Sequence, residues 1–158
     1  MGILTDDMKR VVREQVLGFV ATVSPDGTPN VSPKGTLTVW DDDHLVFADL
    51  GSPRTMANLG EGAGVEVNVV DPVTRTGYRF KGRGEAHVDG PVFDEIVAWY
   101  ERDRRLAPSR VRGVARIEVE WAAPLVSPAY EIDAQDAIVD RSWRRIERVY
   151  GVRVTENE

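Results

Sequence analysis

Cysteine is absent from the 158 residues, which excludes disulfides, thiolate nucleophiles, iron–sulfur clusters and cysteine-bound zinc. Histidine is almost as scarce. His44 and His87 are the only two, too few and too far apart to suggest a metal constellation on their own. No long apolar run occurs, and the opening MGILTDDMKRVV carries acidic residues. It reads as neither a signal peptide nor a membrane span, and a cytoplasmic protein is the expectation. Positive charge is also short: 20 Lys and Arg stand against 26 Asp and Glu, for a net charge of −6. That balance argues against a general nucleic-acid binder, whose affinity comes from neutralising many phosphates. It leaves room for one local basic pocket.

What is present reads as a single domain over 1–158, long enough to bury a core without disulfide or metal support. Met8, Val11, Val12 and Val16 recur at helical spacing behind Thr5, Asp6 and Asp7, predicting a capped leading helix within 1–16. Strand formers fill 17–23, SPDG supplies a turn, and a second extended run covers about 28–40. LVFAD at 45–49, VEVNVV at 65–70, the alternating 78–88 and a last strand ending near Trp121 complete six strands. An amphipathic helix starting after Gly90-Pro91 separates the last two. A Pro-containing crossing segment then leads to a C-terminal helix at 134–150. Six largely antiparallel strands over 17–121 with flanking helices predict a mainly β, α+β fold: a six-stranded antiparallel split β-barrel. Gly82 and Gly84 suit a sharp bend, or a backbone that something flat approaches closely.

One short stretch points to chemistry. In GSPRTMANLG, residues 51–60, Ser52 is placed to cap a helix, Pro53 fits its first position and Gly60 closes it. Arg54 then sits beside the positive pole of the helix dipole, which is unfavourable unless an anion faces it. An ordinary capped helix with a solvated Arg54 is the plainer alternative. Lys34, in SPKG, reads alone as a turn lysine and beside Arg54 as a second anion ligand.

The ordered set FVATVSPDGTPNVSPKG, LVFADLGSPRTMANL, VEVNVVDP and GYRFKGRGE resembles the pyridoxamine 5′-phosphate oxidase-like family of FMN-binding split barrels over roughly 8–121. The resemblance implies a homodimer with FMN held between the subunits. It implies a phosphate site at Ser32, Lys34, Ser52, Arg54 and Thr55, where helix-end N–H groups, hydroxyls and cations meet the ester. It further implies backbone contacts to the ring from Asn30, Val31, Ser32, Phe47 and Ala48. Asn58 would lie on the Arg54 and Thr55 face of the helix, with Asn68, Gly77 and Tyr78 near the ring or ribityl chain. One departure stands out. The namesake oxidases carry an R-x-H segment near the C-terminus, and this chain has no histidine after His87.

The function so implied is an FMN-dependent oxidoreductase acting on a small molecule, with a reduced nicotinamide as one candidate substrate. Flavin carries the redox chemistry, so no catalytic triad is needed. Tyr78 is the single candidate proton donor. A deazaflavin-dependent reductase of the same fold, or a non-enzymatic flavin or haem binder, are the alternatives. Arg79, Lys81 and Arg83 share a strand face that is either solvated or turned toward a flavin's pyrimidine edge. His44 and His87 read as surface residues. Trp99 and Trp121 read as core or interface residues, and Trp143 as a candidate cover for a flavin across a dimer interface.

Overall fold

The alternation legible in the sequence becomes one antiparallel sheet in the computed structural model, which describes residues 2–60 and 64–152. The Gly-rich corner expected before the fourth long strand falls partly on 61–63, outside the described residues. In chain order the elements are α1 (Asp6–Gln15), β1 (Gly18–Val23), β2 (Pro29–Lys34), β3 (Thr38–Val39) and β4 (His44–Asp49). They continue with α2 (Pro53–Gly60), β5 (Gly64–Asp71), β6 (Thr76–His87), α3 (Gly90–Arg104), β7 (Gly113–Val126) and α4 (Gln135–Tyr150). The strand order is β2-β1-β5-β6-β7-β4-β3, a sheet that curls into the half-barrel of a split-barrel fold.

Two expectations change. The described residues form seven strands, because the extended run over 28–40 breaks at Gly35. β2 pairs with β1 at one edge of the sheet, whereas β3 pairs with β4 at the other. The chain between them has to cross from edge to edge and cannot stay in one strand. The last strand also runs past Trp121 to Val126 through Pro124. Beyond Glu118, β7 pairs with β6 alone, and an edge strand tolerates a missing N–H.

The barrel interior is apolar. Val20, Leu45, Phe47, Val67, Val69, Phe80 and Ile117 fill it, closed by Val12 from α1 and Leu59 from α2. A second core lies where Ile96, Val97 and Tyr100 of α3 pack against Val46, Ala48 and Val114. Both glycines singled out in β6 serve close approach. A Cβ at Gly82 would meet the Glu118 carbonyl oxygen at 1.8 Å, where the β6–β7 register slips between Lys81 and Gly82. At Gly84 it would meet Leu59 of α2 at 2.4 Å. An added side chain would thus meet protein backbone at Gly82 and a leucine at Gly84.

Candidate functional site

The site is built where β4 hands the chain to α2. Asp49 ends β4, and its Oδ1 accepts the N–H of Ser52 at 2.7 Å and that of Gly51 at 3.2 Å. This carboxylate-closed turn swings the chain into the helix. The Ser52 hydroxyl donates to the same Asp49 oxygen and accepts from Lys34 Nζ. Lys34 Nζ also donates to Ser32 Oγ at 2.7 Å and lies 5.1 Å from the centroid of the Phe47 ring. The lysine is only 5% exposed. Burial therefore pulls its pKa below the ordinary lysine value, and the Asp49 charge works against that fall.

These groups line a hollow of about 430 Å³ whose walls include Ser32, Lys34, Thr36, Ala48, Asp49 and Ser52. Thr36 Oγ1 donates to the Ala48 carbonyl at 2.7 Å, tying the crossing segment to β4. Because Ser52 turns its side chain to Lys34 and Asp49, it does not cap the first helical N–H groups. Those of Arg54 and Thr55 have no acceptor among the described residues.

Next to the hollow is a buried polar cluster around Thr22. Thr22 Oγ1 accepts from Asn58 Nδ2 at 2.9 Å and from Asn30 Nδ2 at 3.1 Å. Asn30 Nδ2 also reaches Thr55 Oγ1 at 3.0 Å. Thr22, Thr55 and Asn58 are each almost fully buried, so this cluster fixes α2 against β1 and β2. Asn30 and Val31 line a wider groove of about 440 Å³ along β1, β2, β5 and β6.

The structure thus brings Ser32, Lys34, Ala48 and Ser52 to one hollow, with Phe47 beneath it. Asn30, Thr55 and Asn58 are joined in the adjacent cluster. Arg54 is exposed and does not line the hollow. Its charge is felt at Asp26 in the β1–β2 turn, where the Thr28 N–H and hydroxyl chiefly lower the carboxyl pKa and Arg54 adds a smaller pull. Asn68, Gly77 and Tyr78 line neither space. Tyr78 Oη donates to Asp7 of α1 at 2.5 Å, and Gly77 lets the β5 backbone pass, since a Cβ there would lie 2.0 Å from the Val69 carbonyl oxygen. Asn68 Oδ1 is buried without a partner among the described residues.

Arg79 and Lys81 reach Glu66 at 2.9 and 3.6 Å, and Arg83 reaches Glu120 at 3.2 Å, so this basic face is ion-paired. His44 bonds Asp41, and His87 lies 3.3 Å from Glu85. Two members of the constellation, Asp49 and Thr22, escape the sequence reading. Asp49 had one visible signal, an acidic residue three positions before a helix cap.

The family model described as Pyridoxamine 5′-phosphate oxidase matches residues 4–124, and the chain belongs to that family. Tagged HupZ from Group A Streptococcus is 31% identical, covering 78% of this chain and 94% of that one, with a TM-score of 0.69. An FMN-binding protein from Syntrophomonas wolfei shares the fold at 17% identity, 78% and 87% coverage and a TM-score of 0.61. An F420 reductase does so at 21% identity, 75% and 98% coverage and a TM-score of 0.57. No curated protein matches.

Proposed function

We propose that this member of the pyridoxamine 5′-phosphate oxidase family is an FMN-dependent oxidoreductase of the cytoplasm that acts on a small molecule. The observation that carries the reading is Lys34: an ammonium buried between two serine hydroxyls at the wall of a hollow, beside two uncapped helix N–H groups. Asp49 offsets the ammonium charge, but two serines take only two of its three hydrogens, and donors left unpaired there favour a ligand with acceptor oxygens. A flavin phosphate fits that donor set. Lys34, the N–H groups of Arg54 and Thr55, and the Arg54 side chain swung inward would hold the ester. Ser32 and the backbone of Asn30, Val31, Phe47 and Ala48 would border the ring, while Asn58 orients the wall through Thr22. Bound flavin supplies the hydride chemistry. The protein's part is to bind, orient and exclude water, and no side chain is assigned as an acid or base.

The partner is a second copy of the chain. Phe19, Val23 and Val31 are exposed on the neighbouring strands β1 and β2, Val31 to 63%, and grouped apolar side chains of this kind suit an interface. Asn68 and Gly77 would meet the flavin of the partner subunit across it, whereas the Tyr78 side chain turns inward to Asp7 of α1.

Fluorescence-quenching titration tests the reading directly. FMN should bind and Lys34→Ala should weaken it, and a protein that takes up no FMN would count decisively against the proposal. The F420 reductase fold match favours a second reading, a deazaflavin in the same basic pocket, which native mass spectrometry of the purified protein separates by ligand mass. A non-enzymatic binder would hold its cofactor yet oxidise no reduced nicotinamide above background.

A further inference from the structure

Asp49 is the one acidic group lining the hollow among the described residues, and closing the β4–α2 turn does not account for its link to the buried Lys34 through the Ser52 hydroxyl. It is only 4% exposed. Its Oδ1 accepts from the Gly51 N–H, the Ser52 N–H and the Ser52 hydroxyl. A serine hydroxyl has one hydrogen. With that hydrogen given to Asp49, Ser52 turns a lone pair to Lys34 and has none to donate into the hollow. The chain Lys34–Ser52–Asp49 therefore fixes which group meets a ligand: the ammonium does, and the hydroxyl does not.

We infer that Asp49 is a positioning residue of this site, locking Lys34 between Ser32 and Ser52 through the serine hydroxyl and offsetting its charge so that the hollow is formally neutral before a ligand enters. The groups facing Lys34 are Ser32 from β2, Ser52 from the front of α2, and Asp49 with the Phe47 ring from β4. Asp49 is the charged one among them. Its carboxylate opposes the loss of the lysine proton that burial favours. It also repels a second negative charge, so the hollow takes a singly charged or hydrogen-bonding group more readily than a full dianion.

The coupling of Asp49 to Lys34 stands without a ligand, while its effect on binding rests on the flavin reading. The test separates the two. The chain has three lysines, Lys9, Lys34 and Lys81, so side-chain resonances of isotope-labelled lysine resolve Lys34 in ligand-free protein. In Asp49→Asn, which keeps the acceptor oxygen and removes the charge, the Lys34 titration midpoint should fall by about one pH unit, a tenfold change. An unchanged midpoint overturns the inference. Should that variant not fold, Ser52→Ala keeps the carboxylate and removes the bridge, and it should lower the midpoint by a smaller amount; no shift again overturns it. At pH 6, Asp49→Asn should bind FMN about tenfold more tightly than the wild type, with riboflavin affinity unchanged. Equal changes for the two flavins would refute the charge offset. If neither protein binds flavin, the cofactor reading fails and the lysine titration still decides the role of Asp49.

Discussion

Arg54 shows how little a residue's neighbours in sequence determine its job. Its N–H lies at the uncapped front of α2, but its guanidinium is exposed, with no ion-pair partner among the described residues and a weak pull on Asp26. The cost of placing a cation at the positive end of a helix is offset in part by the carboxylates of Asp26 and Asp49, and a phosphate beside the free N–H groups would offset more. Arg54→Ala should accordingly leave the fold intact and weaken FMN binding by about 2 kcal/mol, roughly thirtyfold in Kd, as expected for a charge-assisted partner. Calorimetric titration measures this, and affinity equal to the wild type would remove Arg54 from the site. Lys34 was legible beside Arg54 because both are cations near one helix. Asp49 and Thr22 were not. Thr22 owes its role to Asn58, 36 positions away; Asp49 bonds Gly51 and Ser52 two and three positions ahead, and it joins the site because Ser52 meets Lys34, 18 positions away.

Among the elements, α1 is held to the sheet by a contact with a definite pH window. Tyr78 Oη donates to Asp7, and that bond, with Arg10 adding to it, lowers the Asp7 pKa, while the same bond raises the pKa of the phenol. A carboxyl with a depressed folded pKa stabilises above its unfolded value, and that contribution is lost as pH falls through the folded one. A phenol with a raised pKa stabilises below its unfolded value and loses that contribution as pH climbs through the folded one. The tether should therefore loosen below the carboxylate range and again above about pH 10. Thermal melts across pH should show both declines, each shallower in Tyr78→Phe; identical profiles would mean that α1 is held by its apolar face and the Lys9–Asp42 ion pair without help from Tyr78. Strands were readable because side chains alternate between the interior and water, as β6 shows from Phe80 to Glu85. The break at Gly35 was not, since it depends on which distant strand each half pairs with.

For the whole molecule, the outer face of the sheet is where the proposed pairing of two copies is tested. Phe19, Val23, Val31 and Trp121 leave apolar surface on β1, β2 and β7, and Lys81 lies over the Trp121 ring at 5.4 Å. Burying that face against a second copy would complete a flavin site that draws on both chains. Dilution followed by sedimentation and flavin fluorescence should show cofactor release tracking dissociation. A verified monomer that retains flavin would contradict a shared site. The fold class was legible from one chain because its core closes on itself. The proposed interface cannot be read the same way, because exposed apolar residues look alike in sequence whether they meet water or a partner.

The crossing at residues 35–37 has a mechanical consequence. It is a short stitch between β2 and β3, the two free margins of the curled sheet, and Lys34 and Thr36 stand on either side of Gly35. A molecule seated in the hollow would span that seam like a rivet, so filling it should stiffen the half-barrel where hydrogen bonds between strands cannot.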